Sequence, residues 1–75
     1  MKKSDELLSW CKTKRLFSYV DVHKWGIENF YISAERAIRL FVEGGQLRRI
    51  THEESVLRGL IKEGSARLAW FETIE

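Results

Sequence analysis

Arginine is the residue type in this sequence whose spacing points most clearly to a chemistry. Arg36 and Arg39 stand three residues apart, and Arg48 and Arg49 follow shortly after a double glycine. A guanidinium is planar, always charged and able to donate two parallel hydrogen bonds to a phosphate or to a guanine edge. Such a cluster favours nucleic acid as a ligand, provided that one folded surface presents it.

The same arginines can also be interpreted as ordinary surface charges. Glu35 stands four residues before Arg39, and Glu43 stands four residues after it. At this spacing opposite charges on a helix meet, and each pair contributes about 0.2–0.5 kcal/mol. Both interpretations stay open: a helix face that binds an anion, or one that pairs its own charges.

The other reactive residue types give weaker signals. Cys11 is the single cysteine, and His23 and His52 have no evident partner. A zinc site would need all three to converge from distant parts of the chain, whereas Cys11 has the spacing of a small core residue. The three tryptophans are likewise expected in the core rather than on a base-stacking surface. No nucleophile–base pair or phosphate-binding glycine loop is present, so we expect no enzyme, no cofactor and no metal.

The composition is that of one small globular domain. The chain has 75 residues, of which 44% are hydrophobic, and a net charge of +2. We expect a single domain over 1–75, with its core between 4 and 74, and no pocket for a small-molecule substrate. No apolar run reaches the roughly 20 residues of a membrane span, and no signal peptide is recognisable. An intracellular, cytoplasmic location and no membrane partner are therefore predicted.

A helix over 33–43 must position the first two arginines. Ser33 is suited to its N-cap, and Gly44 or Gly45 to its end, because a left-handed glycine commonly terminates a helix. The periodicity predicts that one face is buried and that the opposite face, with Arg36 and Arg39, looks outward. The predicted core face contains Ala34, Ala37, Ile38 and Phe41, with Leu40 and Val42 at its edges.

The bounds of this helix and of the next element follow from their neighbours. A start at Asn29 is an alternative, but it would place Ile32 outward among the arginines, so a start at Ser33 is favoured. After the glycines, Leu47 and Ile50 flank the second arginine pair in a segment too short for a helix. This segment is predicted to be a strand.

Two helices are predicted before residue 33. Ser4 is the expected N-cap of the first, and Ser18 that of the second, where Asp21 completes a capping box. Gly26 is expected to end the second helix. Between the two helices, residues 16–17 are either a short edge strand or a connection that packs inward.

From residue 51 onward the sequence allows two interpretations. Thr51 and Glu54 form a second capping pattern before residues with helical spacing, with Gly64 as a stop. Gly59 interrupts that pattern, and two strands around a glycine turn fit as well. In either case a strand over 66–74 is predicted to pair antiparallel with the strand at 47–51.

The element order and the stretch SAERAIRLFVEGGQLRRI at 33–50 resemble the winged helix-turn-helix superfamily. Its members often have Ser-Ala-x-Arg-x-Ile-Arg-x-Leu-Val, then Glu-x-Gly and a strand of Leu-x-Arg-Ile type. The resemblance covers roughly residues 4–74. It implies a small α+β fold of three helices and a β-hairpin wing, with a possible short extra helix between the wing strands, since 51–65 is long for a wing loop.

The resemblance also implies a partner and a set of contact residues. The partner would be double-stranded DNA, read in the major groove by the helix at 33–43, and the role that of a transcription regulator or DNA-transaction accessory factor. A homodimer on two half-sites is expected. The groove-facing set would be Tyr31, Ser33, Arg36 and Arg39, and the backbone contacts Lys24, Arg48, Arg49, Arg58, Lys62 and Arg67.

A protein-interaction winged helix is the alternative from a different functional class. It would act as an adaptor or subunit without touching DNA. The near-neutral charge balance and the acids Glu28, Glu35 and Glu43 near the arginines favour it. It predicts an exposed apolar patch that includes Trp70 or Phe71, whereas DNA binding predicts a continuous positive surface.

Overall fold

The computed structural model describes residues 2–62, 64 and 68–74, which form four helices and a three-stranded antiparallel sheet. The predicted α+β class is thereby confirmed in its coarse form, and the arrangement is compatible with a winged helix. In chain order the elements are α1 (Lys3–Lys14), β1 (Leu16–Ser18), α2 (Tyr19–Glu28), α3 (Ala34–Glu43), β2 (Leu47–Ile50), α4 (His52–Leu57) and β3 (Trp70–Thr73).

The sheet has the order β1-β3-β2, so the last strand in sequence is the central one. Phe71 of β3 lies opposite Phe17 of β1 on one side and opposite Arg49 of β2 on the other. The predicted antiparallel pairing of β2 with β3 is confirmed, and residues 16–17 belong to an edge strand. Pairing of β3 with β1 was not predicted, and it replaces the expected two-stranded hairpin. Part of the predicted strand, residues 66–67, lies outside the described residues.

The core lies between the helices and one face of the sheet. Because side chains alternate along a strand, Phe17, Leu47 and Phe71 point to the same face, and all three are buried. The rings of Phe17 and Phe71 stack with their centroids 5.8 Å apart. The helices complete this core with Leu7, Cys11, Val22, Trp25, Ala34, Ala37 and Ile38.

The turn between α2 and α3 depends on a close approach at Gly26. A Cβ atom there would lie 2.8 Å from the carbonyl oxygen of Tyr31 and 3.1 Å from the Cβ of Ala34. The Gly26 carbonyl also accepts a 2.7 Å hydrogen bond from the Tyr31 amide. The prediction that Gly26 ends the helix was wrong: α2 continues to Glu28, and the chain reverses at Phe30, whose φ is 55°.

The predicted N-caps are correct in part. Ser18 forms both hydrogen bonds of its capping box, and the Thr51 hydroxyl accepts from a backbone amide of α4. Ser33 stands at the predicted N-cap position, but its side chain makes no capping bond. The prediction that Ser4 is the N-cap of α1 was wrong. The N-cap is Lys2, whose carbonyl accepts the first helical hydrogen bond.

The segment after β2 contains a short helix, which decides between the two interpretations of this region. α4 ends at Leu57 instead of continuing to Gly64, because the chain takes a left-handed conformation at Gly59, with φ 75°. The side chain of Leu57 is 87% exposed. The buried side chain of α4 is Ser55, whose hydroxyl donates to a backbone carbonyl one turn earlier.

Gly26→Ala is expected to lower the free energy of unfolding by about 1–3 kcal/mol, as overpacking against an immobile backbone does. Urea denaturation measures this loss. Val20→Ala is the matched control, since Val20 is exposed on the same helix and should change stability by less than about 0.5 kcal/mol. A Gly26→Ala variant stabilised by about 1 kcal/mol, as helix propensity alone requires, would contradict the close approach.

Candidate nucleic-acid interface

Helix α3 divides its side chains between the core and solvent. Ala34, Ala37 and Ile38 are buried, as predicted, while Arg36 and Arg39 are exposed on the other side. The buried residues contact α2, α1 and β2 through a face of small and branched side chains. This packing fixes the direction in which the two arginines project.

Arg49 extends the positive surface of α3 onto the sheet. Cross-strand partners share a face, so Arg49, which lies opposite Phe71, leaves the sheet on its helix-facing side. An open groove of about 720 Å³ lies between α3 and this part of the sheet, with apolar side chains on its floor. We call it the arginine groove; its polar lining consists of Tyr19, Glu35, Arg36, Arg39 and Arg49.

The carboxylate in this groove is bound by a histidine instead of an arginine. Glu35 Oε1 lies 2.8 Å from His23 Nδ1, which corrects the expectation that His23 has no partner. Over the described ranges, no ion pair includes Arg36, Arg39 or Arg49. The charge pairs that the surface interpretation expected for Arg39 with its neighbouring glutamates are therefore not formed.

Arg48 and Arg58 are held in a four-residue ion-pair network on the opposite face of the sheet. Arg48 donates to Glu54 at 2.8 Å and, through Nε, to Glu72 at 2.8 Å. Arg58 lies 2.7 Å from Glu54 and 3.0 Å from Glu72. The hydrogen bonds from Arg48 lower the pKa of both glutamates. Two carboxylates thus offset two guanidinium charges, which leaves this pair less suited to bind phosphate than Arg49.

Tyr31 and Ser33 lie just before α3 in different environments. Tyr31 is half-buried and meets Trp25 edge to face, with ring centroids 6.3 Å apart and planes at 84°. Its ring therefore belongs largely to the packing of the turn. Ser33 is exposed and its hydroxyl makes no capping hydrogen bond, so it is accessible beside the first turn of α3.

Lys24 and Lys62 do not line the arginine groove. Lys24 is exposed on α2 and lines a different groove, together with Trp10 and Trp70. Lys62 is exposed after α4. Arg67 lies outside the described residues. The structure thus brings Arg36, Arg39 and Arg49 together and leaves Lys24 and Lys62 apart from them.

The prediction that cysteine and tryptophan serve the core is largely confirmed. Cys11 is fully buried, and this burial raises the pKa of its thiol to about 12, so the group stays protonated. Trp25 is buried. Trp10 is half-buried, with its ring 5.1 Å from that of Phe17, and Trp70 is half-buried on β3.

Two exposed apolar side chains beside α3 were missed by sequence reasoning. Phe30 is 92% exposed and Ile32 is 97% exposed. The predicted start of the helix after Ser33 is confirmed, but this start leaves Ile32 exposed. The sequence did hold a sign of this exposure. In a hydrophobic staple, Ile32 would pack against Ala37, but Ala37 is small and belongs to the core, so Ile32 has no partner there.

Two further findings concern the described part of the chain alone. It contains no group of three or more His, Cys, Asp or Glu residues that could hold a metal ion. None of its helices is both long enough and apolar enough to cross a membrane.

Glu72→Gln is expected to lower the melting temperature at neutral pH by a few degrees at most, because surface ion pairs contribute little. The pKa of Glu72 is lowered in the folded protein, so its contribution exists above the ordinary glutamate value of 4.5 and is lost as the pH falls below it. Melting curves across this range should show the wild type and the variant converging in acid. Glu53→Gln, an exposed acid outside the network, is the control. A difference that persists undiminished in acid would contradict the role of the carboxylate charge.

Comparisons with known proteins leave the chain without an assigned family. No protein-family model, no curated protein and no solved structure matches it. Its resemblance to winged helix-turn-helix proteins therefore remains a prediction from the residues at 33–50.

Proposed function

We propose that this protein binds double-stranded DNA through the arginine groove, as a small winged helix-turn-helix module. The observation that carries the proposal is the convergence of Arg36, Arg39 and Arg49 on one open groove. No ion pair engages them within the described residues. Cations that are not offset by their own protein are the ones available to replace the counterions of a phosphate backbone.

The geometry of α3 suits the major groove. A helix with its side chains is about 10–12 Å wide, and the major groove of B-DNA is about 12 Å wide. Arg36 and Arg39 lie on the outer face of α3, where they can reach base edges or flanking phosphates. Arg49 lies on the adjacent strand, so it contacts the backbone next to the inserted helix. Ser33, exposed at the start of α3, offers a hydroxyl for a phosphate.

The β2–β3 connection takes the place of the wing in this proposal. It contains α4 and is stiffened by the network of Arg48 and Arg58 with Glu54 and Glu72. These two arginines serve to hold the connection against the sheet, and Lys62 and Arg67 remain as candidate backbone contacts. As part of the proposal, the protein acts as a homodimer on paired half-sites, in transcription regulation or as an accessory factor in DNA transactions.

The protein-interaction alternative has a specific observation in its favour and one against it. Glu35 lies within the arginine groove, as that alternative expects. However, the apolar patch it predicted around Phe71 or Trp70 is not exposed, because Phe71 is 7% exposed and Trp70 is half-buried. DNA binding is therefore the better-supported proposal.

Arg39→Gln and Arg49→Gln are each expected to weaken binding to a random duplex about tenfold, because each removes a cation that contacts DNA. Fluorescence polarisation over a salt series measures the affinity. The slope of log affinity against log salt should become shallower by about 0.9 for each phosphate that the variant no longer neutralises.

Lys12→Gln provides a charge-matched control, since Lys12 is exposed on α1 and does not line the arginine groove. This variant should retain nearly the full affinity and slope. If all three variants weaken binding equally, net charge and not the groove accounts for the interaction. If the folded wild type does not bind at low salt, the proposed function is wrong.

A further inference from the structure

Two large apolar side chains just before α3 are exposed to solvent, whereas folded proteins usually bury such side chains. Phe30 is 92% exposed and Ile32 is 97% exposed, which makes them the two most exposed large apolar residues described. Single exposed apolar residues are common, but two residues flanking the same position at a turn are not scattered singly. Both lie at the N-terminal end of α3.

The contacts of the residue between them fix the conformation of this turn. Tyr31, which separates Phe30 and Ile32, donates its amide to the Gly26 carbonyl at 2.7 Å and packs its ring against Trp25. These contacts leave Tyr31 half-buried, whereas its two neighbours are exposed. Phe30 has φ 55°, a left-handed backbone conformation that residues other than glycine rarely adopt. The turn thus presents an apolar pair at a cost in backbone energy.

Ile32 of this pair lies next to the arginine groove. Ile32 and Glu35 line one small cleft beside α3, and Glu35 also lines the arginine groove together with Arg36 and Arg39. A ligand that occupies the groove and covers the first turn of α3 therefore meets Ile32 next. This ligand must be anionic along the groove and apolar at one point beside it.

We propose that Ile32 contacts thymine methyl groups in the major groove and so gives the protein a preference for thymine. This inference rests on the proposed function, because it requires α3 to enter DNA. The C5-methyl of thymine is the apolar group that the major groove displays, between hydrogen-bonding base edges. An aliphatic side chain that touches it removes apolar surface of both partners from water.

The test compares two duplexes of the same alternating sequence, one containing adenine and thymine and the other adenine and uracil. Uracil has the hydrogen-bonding groups of thymine and lacks the methyl group. The wild type should bind the thymine duplex more tightly by about fourfold for each methyl group in contact, the factor expected for burying one methyl-sized group. Fluorescence polarisation at constant salt gives both affinities.

Ile32→Ser removes the aliphatic side chain from a position that is nearly fully exposed. It should bind both duplexes with similar affinity, near that of the wild type for the uracil duplex. Leu57→Ser is the matched control, because Leu57 is 87% exposed on α4, away from both grooves. This control should retain the full preference for thymine.

Each other outcome overturns a distinct claim. Equal binding of the two duplexes by the wild type overturns the thymine contact and leaves DNA binding intact. A preference that Ile32→Ser retains shows that duplex shape is read instead, and also overturns the contact. Failure to bind either duplex overturns both proposals. In that case, self-association of the wild type but not of Ile32→Ser in sedimentation would show that the apolar pair forms a protein interface.

Discussion

The backbone hydrogen bonding of β3 is the constraint on which the rest of the structure depends. β1 and β2 do not pair with each other, so both strands bond to the four residues Trp70–Thr73. The same strand places Phe71 under the helices, where it stacks on Phe17, and sets Arg49 at the end of the sheet beside α3. Without β3, neither edge strand would hold its position, and Arg49 would have no fixed relation to the arginines of α3.

Around α3, the ion pairs that form are not the ones that spacing along the helix predicts. Glu35 and Glu43 flank Arg39 at helical spacing, yet Glu35 binds His23, which comes from α2. Glu54 and Glu72 hold Arg48 and Arg58 on the other face of the sheet. The net charge of the chain is only +2. The chain nevertheless presents a local cluster of arginines that form no ion pair with the residues that the structure describes. Local charge around α3, and not the total, is what a phosphate backbone would encounter.

Local signals in the sequence predicted the parts of the fold that depend on local physics. The faces of α3, the capping box at Ser18 and the strand at 47–50 all follow from periodicity or from hydrogen bonds between near neighbours. Gly26 was misjudged because its role is a contact with Tyr31 across a turn, which composition does not reveal. The pairing of β1 with β3 is also long-range, as is the contact between His23 and Glu35. In the candidate site, the outward face of α3 was predictable, whereas the selection of Arg49 over Arg48 depended on strand register.

The central claim is that the outer face of α3 and Arg49 form the surface that meets DNA. Chemical-shift mapping of the isotopically labelled protein, titrated with a random-sequence duplex, tests this surface because it observes the backbone amides of α1, α3 and β2 in one experiment. If this surface binds DNA, the shifts are concentrated at residues 30–40 and at 48–50, with α1 nearly unchanged. Shifts centred on α1, or none at all at low salt from a folded protein, would contradict it.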